Sequence, residues 1–218
     1  KTRMERLVRE PNAFIRPSPS GGELGGVARR TRETMTVCEA AGYDVVLVET
    51  VGVGQVEVEI AGAADTTVVV VNPGWGDSVQ ANKAGLMEIA DIFVINKSDR
   101  AGAENTKSDL EHMLDLSGLG HDGRWRPPIV STVAHVPSGV DGLWAAIQDH
   151  RAFITENGDL EQRRIDRADE ELERIVRARI DLQVQARRKT PAFAAAHAEV
   201  LARRLDPWEA AEQLLGTD

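Results

Sequence analysis

The sequence predicts an α/β protein with a mostly parallel sheet flanked by helices, followed by an all-helical C-terminal extension. Three observations predict it. Apolar, β-branched runs recur at residues 44–50, 66–71 and 92–95 without polar alternation, as strands covered on both faces require. Stretches with helical spacing lie between them, so strands and helices alternate. Beyond Gly158 the strand pattern stops and helical spacing alone continues.

Taken in order, the chain begins with a charged helical segment at residues 1–9, stopped by Pro11. Residues 12–17 read as an extended piece with strand character. Residues 16–26, rich in Pro, Ser and Gly, form a loop. Val27, Thr31, Met35 and Cys38 recur at helical spacing, which predicts a helix over 27–41 closed by Gly42. Residues 44–50 are a buried strand, and 53–60 a loop entering a short helix. The strand at 66–71 ends at Asn72-Pro73, and a glycine-rich loop, 74–83, leads into a helix reaching Ala90. The strand at 92–95 follows, then a helix over 107–116 and a strand and loop at 127–134. Asp141 is the expected cap of a helix carrying Leu143, Trp144 and Ile147. In the tail, Ile165, Ala168, Leu172, Ile175, Val176 and Ile180 draw one apolar stripe among charges. Thr190-Pro191 and Asp206-Pro207 each pair a capping side chain with Pro at the first helical position, and Glu209 adds a capping-box pattern. The division expected is a sheet-bearing domain over 1–155 and a helical arm over 156–218.

Composition narrows the class. The chain has 218 residues, 42% hydrophobic and 28% charged, with a formal net charge of −9. That balance speaks against binding nucleic acid or an anionic membrane non-specifically. The single cysteine, Cys38, allows no internal disulfide, which fits a reducing compartment. No signal peptide or bilayer-length apolar run is evident, so a cytoplasmic protein is expected. The histidines at 112, 121, 135, 150 and 197 have no metal-ligand spacing, and no zinc site is expected.

The chemistry concentrates at Asn96-Lys97-Ser98-Asp99, at the carboxyl end of the apolar strand 92–95, where open α/β sheets bind ligands. A carboxylate at Asp99 can accept from the N1–H and 2-amino group of guanine. Adenine offers an acceptor and no amino group there, and a site built on such bonds rejects the wrong partner by on the order of 10⁴. Asn96 can tie the loop to its neighbours and reach the purine N7, and the Lys97 stem can lie along the base. An ordinary strand exit with a solvated Asn-Lys would also carry these residues. Two further stretches complete a nucleotide site. Glu49 can hold hydrated Mg²⁺, and Gly52 lets a backbone N–H approach a terminal phosphate. After the later strand, the backbone of Ser131, Thr132 and Val133, through Ala134, can reach the guanine O6. A solvent-facing Glu and a plain strand end are the alternatives. In the 74–83 loop, Asp77 and Lys83 are the polar members and Trp75 a candidate interface anchor. The phosphate-cradling pattern G-x-x-x-x-G-K-[ST] does not occur.

The segments Met4-Glu5-Arg6-Leu7, Asn12-Ala13-Phe14-Ile15-Arg16-Pro17-Ser18, Leu24-Gly25-Gly26-Val27-Ala28, Glu49-Thr50-Val51-Gly52 and Asn96-Lys97-Ser98-Asp99 resemble the MeaB/ArgK GTPases, metallochaperones associated with methylmalonyl-CoA mutase. The resemblance spans about residues 1–147, and the Asn-Ala-Phe-Ile-Arg-Pro-Ser run is not a general GTPase feature. It implies a P-loop G domain that binds GTP and GDP with Mg²⁺ and hydrolyses GTP slowly. It implies a homodimer, through the helical arm, that guards adenosylcobalamin loading of the mutase. By the same resemblance Glu49 is the magnesium-side carboxylate and Gly52 its phosphate-sensing neighbour. Asn96, Lys97 and Asp99 read guanine, Ser131 to Ala134 form the last base-contacting loop, and 74–83 is an additional switch. Because family members carry the P-loop earlier in the chain, the sequence is expected to be the later part of a G domain. A transport-system ATPase or kinase for basic amino acids, and a non-catalytic interaction or dimerisation fragment, are the other readings.

Overall fold

The computed structural model describes Met4 and residues 7–17, 26–50, 62–74, 83–121 and 123–216. The chain divides into two compact units, Lys1–Glu161 and Gln162–Asp218.

The first unit is built on a parallel sheet. Among the described residues it has three strands, β1 (Val68–Val71), β2 (Ile92–Asn96) and β3 (Ile129–Thr132), in the spatial order β1-β2-β3. Val68 pairs with Ile92 and Val71 with Ile95, while Phe93 pairs with Ile129 and Asn96 with Thr132. Its helices are α1 (Gly26–Ala40), α2 (Lys83–Ile89), α3 (Ala103–Ser117) and α4 (Val140–Glu156). The central strand explains the lack of alternation in its sequence, because both of its faces are covered. Phe93 and Ile95 pack with Val71, Ala103, Leu110 and Leu114 on the α3 side. Ile92 and Val94 pack with Ala146, Val130, Leu143 and Ile147 on the α4 side. All four β2 side chains from Ile92 to Ile95 are buried. Burying each is worth about 1.5–3 kcal/mol, so this strand is the centre of the unit's stability.

Several expectations are corrected. Residues 44–50 are not a buried strand: they form an irregular segment in which Leu47 is 85% exposed. A strand exists through its hydrogen-bonded ladder, and among the described residues none pairs with this segment. Residues 13–17 are irregular rather than a strand, but the segment is anchored to α1, with Arg16 Nη1 donating to Thr34 Oγ1 at 3.2 Å. The Phe14 ring lies 6.5 Å from that of Tyr43. Of the helical segment expected at 1–9, Leu7–Arg9 form one 3₁₀ turn, and residues 1–3, 5 and 6 lie outside the described residues. Helix α3 begins four residues earlier than expected, and Asp141 lies in the first turn of α4 while Gly139 holds the cap position at φ 78°. The predicted segment 53–60 and the loop residues 75–82 lie outside the described residues.

In the tail, α5 (Asp159–Arg187) is followed by α6 (Pro191–Leu201) and α7 (Pro207–Leu215). The two predicted caps form: Thr190 Oγ1 accepts from Phe193 N at 3.3 Å, and Asp206 Oδ1 from Trp208 N at 2.8 Å. The reciprocal Glu209 bond of a capping box does not form among the described residues. Arg187 donates to the Leu214 carbonyl, tying the end of α5 to α7. Hydrogen bonds from Arg204 hold the Glu199 carboxyl below its usual range. The stripe Ile165, Leu172, Ile175, Val176 and Ile180 is exposed along α5. Among the described residues, no helix is long and apolar enough to cross a membrane.

Candidate nucleotide site

The register of the sheet sets Asn96 at the end of β2 beside Thr132 at the end of β3. Two loops leave the sheet there, and three side chains clasp them together. Asn96 Oδ1 accepts from the Ala134 backbone N–H at 3.2 Å and from Thr132 Oγ1 at 3.4 Å. Ser98 donates twice to the Thr132 carbonyl, from its N–H and from its hydroxyl, both at 3.1 Å. The expected role of Asn96 in tying the loop to its neighbours therefore has a concrete partner in Ala134 N–H. The contribution of Ser98 was not read from the sequence; small polar residues at loop starts are too common to signal it.

Lys97 occupies the left-handed region at φ 59°, rare for a residue with a side chain. This reverses the chain at the end of β2, and Arg100 N–H closes the turn on the Lys97 carbonyl at 3.0 Å. Lys97 and Asp99 are exposed, and among the described residues the Asp99 carboxylate takes no protein donor. A carboxylate left free at a strand's carboxyl end is available to a ligand, which a capping or ion-paired carboxylate would not be. Beyond β3, Ser131 is exposed, Thr132 is 5% exposed, and Val133 is half-buried. Val133 N–H donates to the Ser138 carbonyl at 2.9 Å and Ser138 N–H returns to the Val133 carbonyl at 3.3 Å, closing the loop into a hoop.

The remaining site residues are less assembled. Glu49 is exposed in the irregular segment and, among the described residues, makes no hydrogen bond or ion pair to the Asn96–Asp99 loop. Gly52 and Asp77 lie outside the described residues. Lys83 is the first residue of α2, and its side chain is not among those described. The entry to the 74–83 loop is fixed: Gly74 N–H donates to Oγ1 of Thr106, a buried residue in the first turns of α3. This ties the end of β1 to the helix that follows the Asn96–Asp99 loop.

The sequence profile of the family described as methylmalonyl Co-A mutase-associated GTPase MeaB matches residues 1–189. This chain belongs to that family. The MeaB-family chain is 46% identical over 216 residues to a Pyrococcus abyssi protein carrying a GTPase name, covering 99% of this chain and 67% of that one. It is 46% identical over 165 residues to the GTPase ArgK of Escherichia coli, covering 74% and 50%. A crystal structure of an LAO/AO transport system kinase superposes with a TM-score of 0.66 at 32% identity, covering 95% of this chain and 66% of that one. The chain thus spans about two thirds or less of the length of these proteins. The resemblance drawn from the motifs and the α/β fold class both hold. The family is one of GTPases, so the clasped loops at the carboxyl edge of the sheet sit in a guanine-nucleotide-binding family.

Proposed function

We propose that this chain carries the base-reading loops of a GTP-hydrolysing metallochaperone for an adenosylcobalamin-dependent methylmalonyl-CoA mutase. The observation that carries the reading is the Asn96 clasp, which fixes the two loops of the carboxyl edge while leaving Asp99 exposed and, among the described residues, unpaired. In this reading Asp99 accepts from guanine N1–H and the 2-amino group, Lys97 lies along the base, and Asn96 reaches N7 from its fixed position. Ser131, Thr132 and Val133, through Ala134, form the last base-contacting loop in this reading, and guanine O6 takes over an N–H there that the free chain gives to Ser138 or Asn96. Glu49 is an exposed hard-oxygen donor and fits the water shell of Mg²⁺, which neutralises phosphate charge when bound. Gly52 lies beside the terminal phosphate. Residues 74–83, with Asp77 and Lys83, respond to the mutase, and hydrolysis stays slow until the partner engages them, as in other switch GTPases. The domain division follows the same reading, with a G domain over 1–155 and a dimerisation arm over 156–218. The exposed stripe of α5 supports the arm, since an amphipathic helix of this length is stable when its apolar face is covered.

The test is a fluorescent-GDP titration of the 218-residue chain in Mg²⁺, competed with GTP and with ATP. Displacement by GTP and not by ATP is the expected result. Equal displacement by ATP overturns the guanine reading and favours the kinase-like activity in the name of the structural relative. The chaperone assignment predicts that methylmalonyl-CoA mutase raises the rate of GTP turnover, and an unchanged rate overturns it. Light scattering tests the arm: a mass of one chain at micromolar concentration rules out the homodimer.

A further inference from the structure

We infer that Ser98 is a positioning residue for base specificity: its hydroxyl braces the turn that presents Asp99 against the end of β3, and so holds the Asp99 carboxylate in place for guanine. The inference rests on the guanine reading above and adds a determinant that lies outside the base-contacting residues.

The turn is tight. Lys97 reverses the chain at φ 59°, and Arg100 N–H closes on the Lys97 carbonyl at 3.0 Å, so Ser98 and Asp99 are its two central residues. Among the described residues, the hydrogen bonds that leave this turn for the rest of the protein both start at Ser98. Its N–H and its hydroxyl each donate to the Thr132 carbonyl at 3.1 Å. That anchor is firm. Thr132 is buried, ends β3 opposite Asn96, and gives its own hydroxyl to Asn96 Oδ1 at 3.4 Å. Asp99, the next residue, is exposed and has no hold of its own among the described residues. Its place is therefore set through Ser98. The N–H bond alone leaves the turn able to rock about one point. The hydroxyl bond, reaching the same oxygen from the side chain, braces it. A carboxylate held in place before the ligand arrives loses less freedom on binding, so the brace favours the ligand that uses the carboxylate.

The test isolates Asp99. Fluorescent GDP bound to the 218-residue chain is competed with GDP and with inosine diphosphate, which differ only in the 2-amino group that Asp99 accepts from. Wild type prefers GDP. Ser98→Ala lowers that preference roughly threefold, a part of the hydrogen bond being read, and weakens GDP itself. Ser98→Thr, which keeps the hydroxyl, retains the wild-type preference. In an Asp99→Ala background GDP binds more weakly, and adding Ser98→Ala weakens it no further, because Ser98 acts through Asp99. Ser98→Cys, with a weak donor in place of the hydroxyl, is the variant to read if Ala fails to fold. Ser117→Ala removes a hydroxyl-to-carbonyl bond of the same kind, 2.7 Å long to Leu114 at the far end of α3, and leaves the preference unchanged. A wild-type preference in Ser98→Ala, an equal fall in Ser98→Thr or Ser117→Ala, or an equal loss of GDP affinity with and without Asp99 overturns the inference while the guanine reading stands. A wild-type chain with no preference for GDP overturns the guanine reading and this inference together.

Discussion

The two edges of the sheet handle polar groups in opposite ways. At the amino edge they are turned on one another, with the buried His150 Nε2 left without a hydrogen bond among the described residues. His150, wholly buried on α4, has Nδ1 2.9 Å from Thr66 Oγ1. Its Nε2 lies 3.1 Å from Asp91 Oδ1, close enough for charge to matter but without the alignment of a hydrogen bond. Asp91 Oδ2 accepts from Thr67 N–H at 2.8 Å, and the Asp91 carbonyl accepts from the Trp125 indole at 2.7 Å. Trp125 stacks edge-on over His150 at 5.0 Å and near Phe153 at 5.2 Å. At the carboxyl edge, Asn96, Ser98 and Thr132 satisfy one another only far enough to hold two loops, and Lys97 and Asp99 are left to solvent. A buried polar group without a partner is costly, so the closed edge contributes stability. An exposed one costs little until a ligand claims it, so in the proposed reading the open edge contributes recognition. This matches the rule that open α/β sheets bind at their carboxyl ends.

That contrast can be broken by substitution. The largest expected effect is at Asp99. Asp99→Ala should reduce the preference for guanine over adenine nucleotides by on the order of 10³. It should move the thermal midpoint little, since exposed and unpartnered residues contribute within about 0.5 kcal/mol. A Tm loss as large as those at the amino edge would show that Asp99 is structural. Next comes Asp91→Ala, which removes the carboxylate that accepts from Thr67 and faces His150. It should destabilise the chain by about 2–3 kcal/mol in urea unfolding, with base preference intact. A loss under about 0.5 kcal/mol would mean the amino-edge network holds nothing together. The smallest is Trp125→Phe, which keeps an aromatic ring against His150 and Phe153 but deletes the indole donor to Asp91. About 1 kcal/mol is expected from the same unfolding curve. A larger cost would point to ring packing rather than the hydrogen bond.

The amino edge was the harder of the two to read. Asp91, Trp125 and His150 are spread over 60 residues with no spacing in common, and His150 taken alone is one of five scattered histidines. Their meeting depends on how α4 returns across the sheet, a long-range contact that no local pattern encodes. The open edge was legible because its residues follow directly on a strand: Asn96, Lys97 and Asp99 inherit their place from Ile92–Ile95. Gly139 lies between these cases. Ser138-Gly139 before a helix announces a turn, but the need for glycine comes from Ser131, eight residues earlier and packed against it.

By itself, the sequence determined the alternation of strands and helices, the doubly buried β2, the caps at Thr190 and Asp206, and the family. Each rests on local spacing or on a contiguous motif, which chain order preserves. Tertiary structure alone decided that residues 44–50 are irregular, that Gly139 rather than Asp141 heads α4, and that Asn96 spends its side chain on Ala134. Those outcomes depend on which segments pair in space, and on backbone atoms that meet only after the sheet has formed.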